Sequence, residues 1–244
     1  MKISRALPIL AALLAASAGL ANECVDGVLP PTEGELAERG TFQFKFSYLD
    51  ENAIDLKKIL KEPPAATSKE TRQELDEMLA LQANRTDEDV ERTKFEVRNS
   101  VRTFFGPPYG PLTAEEAAAL EPLFVKVRND VNYFSQAVKK VWKRDRPFIT
   151  DPRIKPCVPL ENTTSYPSGH AATSHLFALV LGELNPKRAK EIMASADRVG
   201  ADRVLAGMHH PSDVEAGKEI ADAVWKKLRT NSAFKKDLSE YKLP

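Results

Sequence analysis

Apolar positions recur at intervals of three and four through most of this chain, the period of helices that bury one face. The clearest run follows Pro122, where Phe124, Val127, Val131, Phe134, Val138 and Val141 form one stripe. Thr113 with Glu116 supplies a capping box ahead of it. Pro147 biases Arg146 out of the helical region, so this helix ends near there. Thr67 with Glu70 repeats the capping signal and opens a helix through roughly Ala83. Another runs from Asp87 to about Phe104, closed by Gly106-Pro107-Pro108, and Leu56 to Leu60 is a short amphipathic piece stopped by Pro63-Pro64. His170 to Leu184 meets no breaker except Gly182. Pro186 starts a helix to about Ala206 with Gly207 as its stop, and Pro211-Ser212 with Glu215 opens a last one through about Leu228.

One segment departs from this period. Phe42, Phe44, Phe46 and Tyr48 alternate with polar residues, which is a strand spacing. No partner strand is visible elsewhere, so an extended arm to about residue 50 is expected to pack its aromatics on a helical body. The reading is all-α, a single-domain bundle of about seven or eight helices. A length of 244 residues with 42% apolar content suits one domain with a real core.

The first residues stand outside the fold. Lys2 and Arg5 precede an apolar run from Leu7 to Leu20, and Gly19 and Ala21 suit cleavage before Asn22, with Ala16-Ser17-Ala18 as a second candidate. The run is shorter than the roughly 20 residues needed to span a bilayer. A signal peptide over 1–21 and a mature domain over 22–244 are expected, placing a soluble protein without membrane span in the periplasm or outside the cell. An oxidising compartment would permit one disulfide between Cys24 and Cys157, the only cysteines. Two unrelated thiols are the alternative, and neither cysteine has zinc-ligand spacing. Acidic and basic residues balance at 35 each, without the basic excess of a nucleic-acid binder.

Candidate chemistry falls into three clusters between Lys139 and Asp213. They are Lys139 with Arg146-Pro147, then Pro167-Ser168-Gly169-His170, then Arg203 with His209 and Asp213. Together they hold the cations, imidazoles and carboxylate needed to bind and attack a tetrahedral oxyanion. Lys139 and Arg146 stand seven residues apart, close to two helical turns, so both can point the same way. Ser168 is a good N-cap, and a helix start beside Gly169 offers free N–H groups to an anion. Taken singly, each residue has an ordinary explanation: surface charges, a turn, a satisfied histidine, a structural ion pair. Their order and spacing carry the signal.

The pattern Lys-x6-Arg-Pro, Pro-Ser-Gly-His, Arg-x5-His-x3-Asp resembles the three-part signature of the type 2 phosphatidic acid phosphatase superfamily. Within it the chain is similar to the secreted class A bacterial acid phosphatases over about Phe42 to Leu238, including the run from Arg203 to Asp213. The resemblance implies an all-helical fold of the phosphatase/haloperoxidase type and a metal-independent phosphomonoesterase. Lys139, Arg146 and Arg203 would neutralise the phosphoryl oxygens, joined by backbone N–H groups of Ser168 and Gly169. His209 would be the nucleophile that becomes a phosphohistidine, Asp213 would orient it, and His170 would serve as general acid and then base. Neutral His209 with protonated His170 implies an acidic pH optimum. No cofactor is implied. The partners would be small phosphate esters, and exposed helical faces are compatible with a homodimer. Vanadium haloperoxidases share the motifs but are usually much longer. A phosphate-binding protein without turnover is the third reading.

Two positions depart from the family pattern. Asp202 stands where Ser is usual before the third-motif arginine and is expected to pair with an arginine or lysine. His210 replaces a common aromatic, to line the leaving-group side or to cover the site. His175 is off the face of His170 and is expected in the core.

Overall fold

The computed structural model describes residues 45–243. The expected signal segment, Cys24, Phe42 and Phe44 lie outside the described residues. Among those residues there are ten α-helices and no strand. In chain order they are α1 Leu56–Ile59, α2 Lys69–Asn84, α3 Asp87–Phe95, α4 Val101–Phe105, α5 Ala114–Val141, α6 Pro147–Thr150, α7 Gly169–Leu184, α8 Ala189–Leu205, α9 Pro211–Leu228 and α10 Ser232–Ser239. A 3-10 turn, Pro186–Arg188, leads into α8.

The count exceeds the seven or eight expected, for local reasons. The stretch from Asp87 to Phe104 is two helices, because Ser100 adopts an extended conformation and forms its own capping box with Thr103. Helix α6 is a single turn with Pro147 at its first position, and α10 follows an Asn231 N-cap. The start of α2 also shifts by one residue, since Ser68 rather than Thr67 accepts from the Thr71 N–H. The Thr113–Glu116 capping box forms as expected.

Helix α7 sits at the centre. Its buried residues include Ala172, Leu176, Phe177, Ala178, Val180 and Leu181, which together cover most of its circumference. It packs against α5, α8 and α9. The stripe from Phe124 to Val138 on α5 is buried against it, with Phe124 edge-on to Phe177 at 4.6 Å between centroids. Val141, the last residue of that stripe, is exposed.

Two glycines set how closely these helices approach. A Cβ on Gly217 of α9 would lie 2.5 Å from the Ser168 carbonyl oxygen, and one on Gly200 of α8 would lie 2.9 Å from Val214. The starts of α7 and α9 therefore touch almost backbone to backbone. The described part of the arm packs as expected: Phe46 lies on Tyr133 and Phe134, and Tyr48 lies on Phe234. Asp130 of α5 accepts the backbone N–H groups of Ser47 and Tyr48.

Candidate active site

The three clusters converge where α5 ends and α7 and α9 begin. Past Trp142 the chain is extended, carrying Arg144 and Arg146 inward before Pro147 starts α6. At the end of α8, Gly207 takes φ 75°, a left-handed conformation that favours glycine. The N–H groups of Met208 and His209 both return to the Arg203 carbonyl. That reversal brings His209 beside Arg203 and starts α9 at Pro211, with Asp213 in its first turn.

His209 is buried between a cation and a carboxylate. Its Nε2 lies 3.0 Å from Nη1 of Arg146, and its Nδ1 lies 3.5 Å from Oδ2 of Asp213. Arginine has no acceptor, so Nε2 must present its lone pair and the proton belongs on Nδ1, facing the carboxylate. Burial and Arg146 hold the imidazole well below its usual range, so it is neutral.

Asp213 is fixed on several sides. Its Oδ1 accepts from Arg144 Nη1 at 2.7 Å. Its Oδ2 accepts from the Ser165 hydroxyl and, at 2.9 Å, from the His210 N–H. Although burial opposes ionisation, His209 and Arg144 hold the carboxyl well below the usual carboxylate range. Arg144 continues to Glu74 at 2.7 Å, and Glu74 accepts the Ser212 N–H at 2.8 Å.

All three expected cations are buried. Lys139 donates to the carbonyls of Thr164 and Ser165, and burial together with Arg146 pushes it down to about 7. Arg146 is tied to Thr163, Met208 and Glu161. Arg203 is 1% exposed, and its Nε and Nη1 meet no acceptor among the described residues. Such unpaired buried donors are costly unless an anion meets them.

At the start of α7, Ser168 is the N-cap, accepting from the Ala171 N–H at 3.3 Å. Its own N–H is donated to the Asp213 carbonyl at 2.8 Å. That donor belongs to the fold, which corrects the expectation that it faces an anion. Gly169 has open space before it, since a Cβ there would meet nothing within 4 Å. His170 donates from Nε2 to the Val97 carbonyl at 3.1 Å, which leaves Nδ1 for proton transfer. Burial and then Arg203 lower it to about 3.

Asp202 turns away from this cradle and takes a bidentate pair with Arg92 of α3, at 2.7 and 2.8 Å. Pairing with an arginine or lysine was expected. Beside it Glu96 is fully buried, and burial and Asp202 push it up to about 8. His210 is buried with Nδ1 3.6 Å from Glu74, so it packs behind Asp213. His175 faces Asp222 of α9 at 3.2 Å and is part of the α7–α9 contact. Cys157 is buried beside Thr93; its expected partner Cys24 lies outside the described residues.

Four residues of the site were not singled out by spacing: Glu74, Arg144, Glu161 and Ser165. Only Arg144 left a signal, standing two residues before Arg146 in an extended segment, where alternate side chains share a side. Among the described residues, no group of three or more His, Cys, Asp and Glu side chains could hold a metal ion. No helix among them is long and apolar enough to cross a membrane.

The family model of the PAP2 superfamily matches residues 123–227. A non-specific acid phosphatase of Salmonella typhi is 38% identical over 113 residues, 44% of this chain and 45% of that protein. A non-specific acid phosphatase of Providencia stuartii is 31% identical over 148 residues, 58% of this chain and 60% of that protein. The chain thus spans about half the length of these curated relatives. The crystal structure of a transmembrane PAP2 type phosphatidylglycerolphosphate phosphatase from Bacillus subtilis aligns with TM-score 0.47 and 18% identity, over 72% of this chain and 90% of that one.

Proposed function

Residues 123–227 carry a PAP2 superfamily domain, and from that premise we propose that this protein is a secreted phosphomonoesterase working through a phosphohistidine. The observation that carries the reading is the state of His209. It is neutral, with its Nε2 lone pair turned to the cations and its Nδ1 turned to Asp213. A nucleophile poised beside a cationic cradle is what attack on phosphorus needs.

In this reading Lys139, Arg146 and Arg203 hold the phosphoryl oxygens, and the unpaired Arg203 nitrogens find their acceptors there. The three cations supply charge neutralisation, so the chemistry calls on no metal ion. Gly169 leaves room for an oxygen to approach the first turn of α7. Nε2 of His209 attacks phosphorus, a P–N bond forms, and the ester P–O bond breaks. The leaving alkoxide takes its proton from His170. Asp213 stabilises the imidazolium ring that results. Water then attacks the phosphohistidine, His170 takes its proton, and phosphate leaves with His209 restored. His170, lowered to about 3 by burial and then by Arg203, is too acidic for this role until phosphate enters the cradle. A phosphate dianion among the cations offsets Arg203 and raises it toward a working value.

The test is p-nitrophenyl phosphate turnover in the presence of a chelator, with rapid quench of labelled substrate. Wild type should turn over and trap a phosphoenzyme, and His209→Ala should lose both. Labelling retained in that variant would sink the assignment. The N-terminal signature supports export to the periplasm or medium, where small phosphate esters would be the substrates.

A further inference from the structure

Glu161 stands inside the cation cradle. Its Oε2 accepts from Arg146 Nη2 at 2.7 Å, and its Oε1 lies 3.9 Å from Arg203 Nη2. Its charge acts on Lys139, His170 and His209 as well. A single carboxylate therefore bridges the two arginines of the cradle. Two buried guanidinium groups this close repel each other and need a counter-charge. Glu161 supplies it.

We propose that Glu161 is a tethered counter-ion that holds the place of the substrate's phosphoryl group between Arg146 and Arg203 and must leave when phosphate enters. The inference rests on the phosphomonoesterase reading and adds the residue that sets its affinity. Glu161 lies in the non-helical segment 151–168, its side chain is 29% exposed, and beyond the two arginines it accepts from the Thr163 hydroxyl at 3.4 Å. The exchange replaces one negative charge by the two of a phosphate dianion beside three cations, so substrate wins the cradle while bound. Once the ester is hydrolysed, the tethered carboxylate competes for the same cations at a high effective concentration. It favours release of product phosphate, which a bare three-cation site would retain.

A fixed negative charge could weaken anion binding through space alone, and one substitution separates the two effects. Glu161→Gln removes the charge. Glu161→Asp keeps it on a side chain one methylene shorter, which cannot span both arginines. Inorganic phosphate and vanadate binding are measured by calorimetry, with product inhibition by phosphate in parallel. Loss of a charged hydrogen bond predicts roughly tenfold tighter phosphate binding and inhibition, and displacement predicts it in both variants. Tightening in Gln with wild-type behaviour in Asp means through-space repulsion and overturns the proposal. Unchanged binding in both overturns it too. If neither anion binds wild type or either variant, the phosphate cradle itself is wrong. The chelated-turnover assay then fails as well, which distinguishes that case from failure of the Glu161 exchange.

Discussion

Lys139 shows how burial sets chemistry at a single residue. An exposed lysine keeps its charge far into alkali, but here burial and Arg146 bring it down to about 7. As pH rises through that value the lysine loses its proton, and the cradle falls from three cations to two. His209 is shifted down as well, by burial and Arg146, so it stays neutral and nucleophilic well into acid. Both effects favour acidic conditions. The profile of kcat/KM reports groups of the free enzyme, so it should fall above about pH 7. Lys139→Arg, which stays charged, should shift that alkaline limb up by at least about one unit while the acid limb stays. A limb that does not move assigns it elsewhere. At this scale the motif residues were legible because their spacing is compact. Glu74 and Glu161 were not, and Arg144 only through its place two before Arg146, because their roles come from tertiary contacts such as Glu74–Ser212, Arg144–Asp213 and Arg146–Glu161. Asp202 was legible in need but not in partner. Its arginine stands 110 positions away.

At the scale of elements, the site depends on how closely α7 and α9 begin. The Ser168 N–H reaches the Asp213 carbonyl, and Gly217 lets the Ser168 carbonyl lie where a Cβ would clash. His170 and the His209–Asp213 pair are thereby held in one register. Gly169, one residue after Ser168, faces open space instead. The two glycines should therefore respond oppositely to alanine. Gly217→Ala must push the helix starts apart, costing about 1–3 kcal/mol by overpacking and lowering kcat. Gly169→Ala fits the fold and can gain up to about 1 kcal/mol of helix propensity. Its methyl group occupies the approach of the phosphoryl oxygen, so KM should rise. Urea unfolding beside steady-state kinetics checks both, and a Gly169→Ala enzyme with wild-type KM would place phosphate away from this helix start. The glycines are visible in sequence, but which one faces backbone and which faces space depends on the packing. The same holds for helix ends: the Thr113–Glu116 box was readable, whereas Ser100 breaking the stretch after α3 required seeing Thr103 turn back to it.

For the whole molecule, the question is what holds the N-terminal lead-in against a body built mainly from α5, α7, α8 and α9. The described part of the arm is tied by Asp130 to α5 and by the Tyr48 hydroxyl to Asp237 of α10. Asn231 adds a bond to the Tyr48 carbonyl. Upstream of this anchor, Cys24 was expected from sequence to bond Cys157 once exported. Cys157 is buried with Val90, Val158, Ala206 and Met208, and the Met208 carbonyl accepts from Arg146. A bond there would fasten the lead-in to the layer that supports the cradle, without any cysteine touching substrate. Closing so long a loop constrains the unfolded chain by up to about 4–5 kcal/mol, less whatever strain the bond carries. Peptide mapping of the exported protein without reductant should then yield one cross-linked pair containing residues 24 and 157. Cys24→Ser should lower the unfolding midpoint in urea while kcat at room temperature stays near wild type, because that loss acts on the unfolded ensemble. Alkylation of both cysteines in the unfolded, unreduced protein would show that no bond exists. Residual stability would then rest on the helical core and the Asp130 and Tyr48 anchors alone.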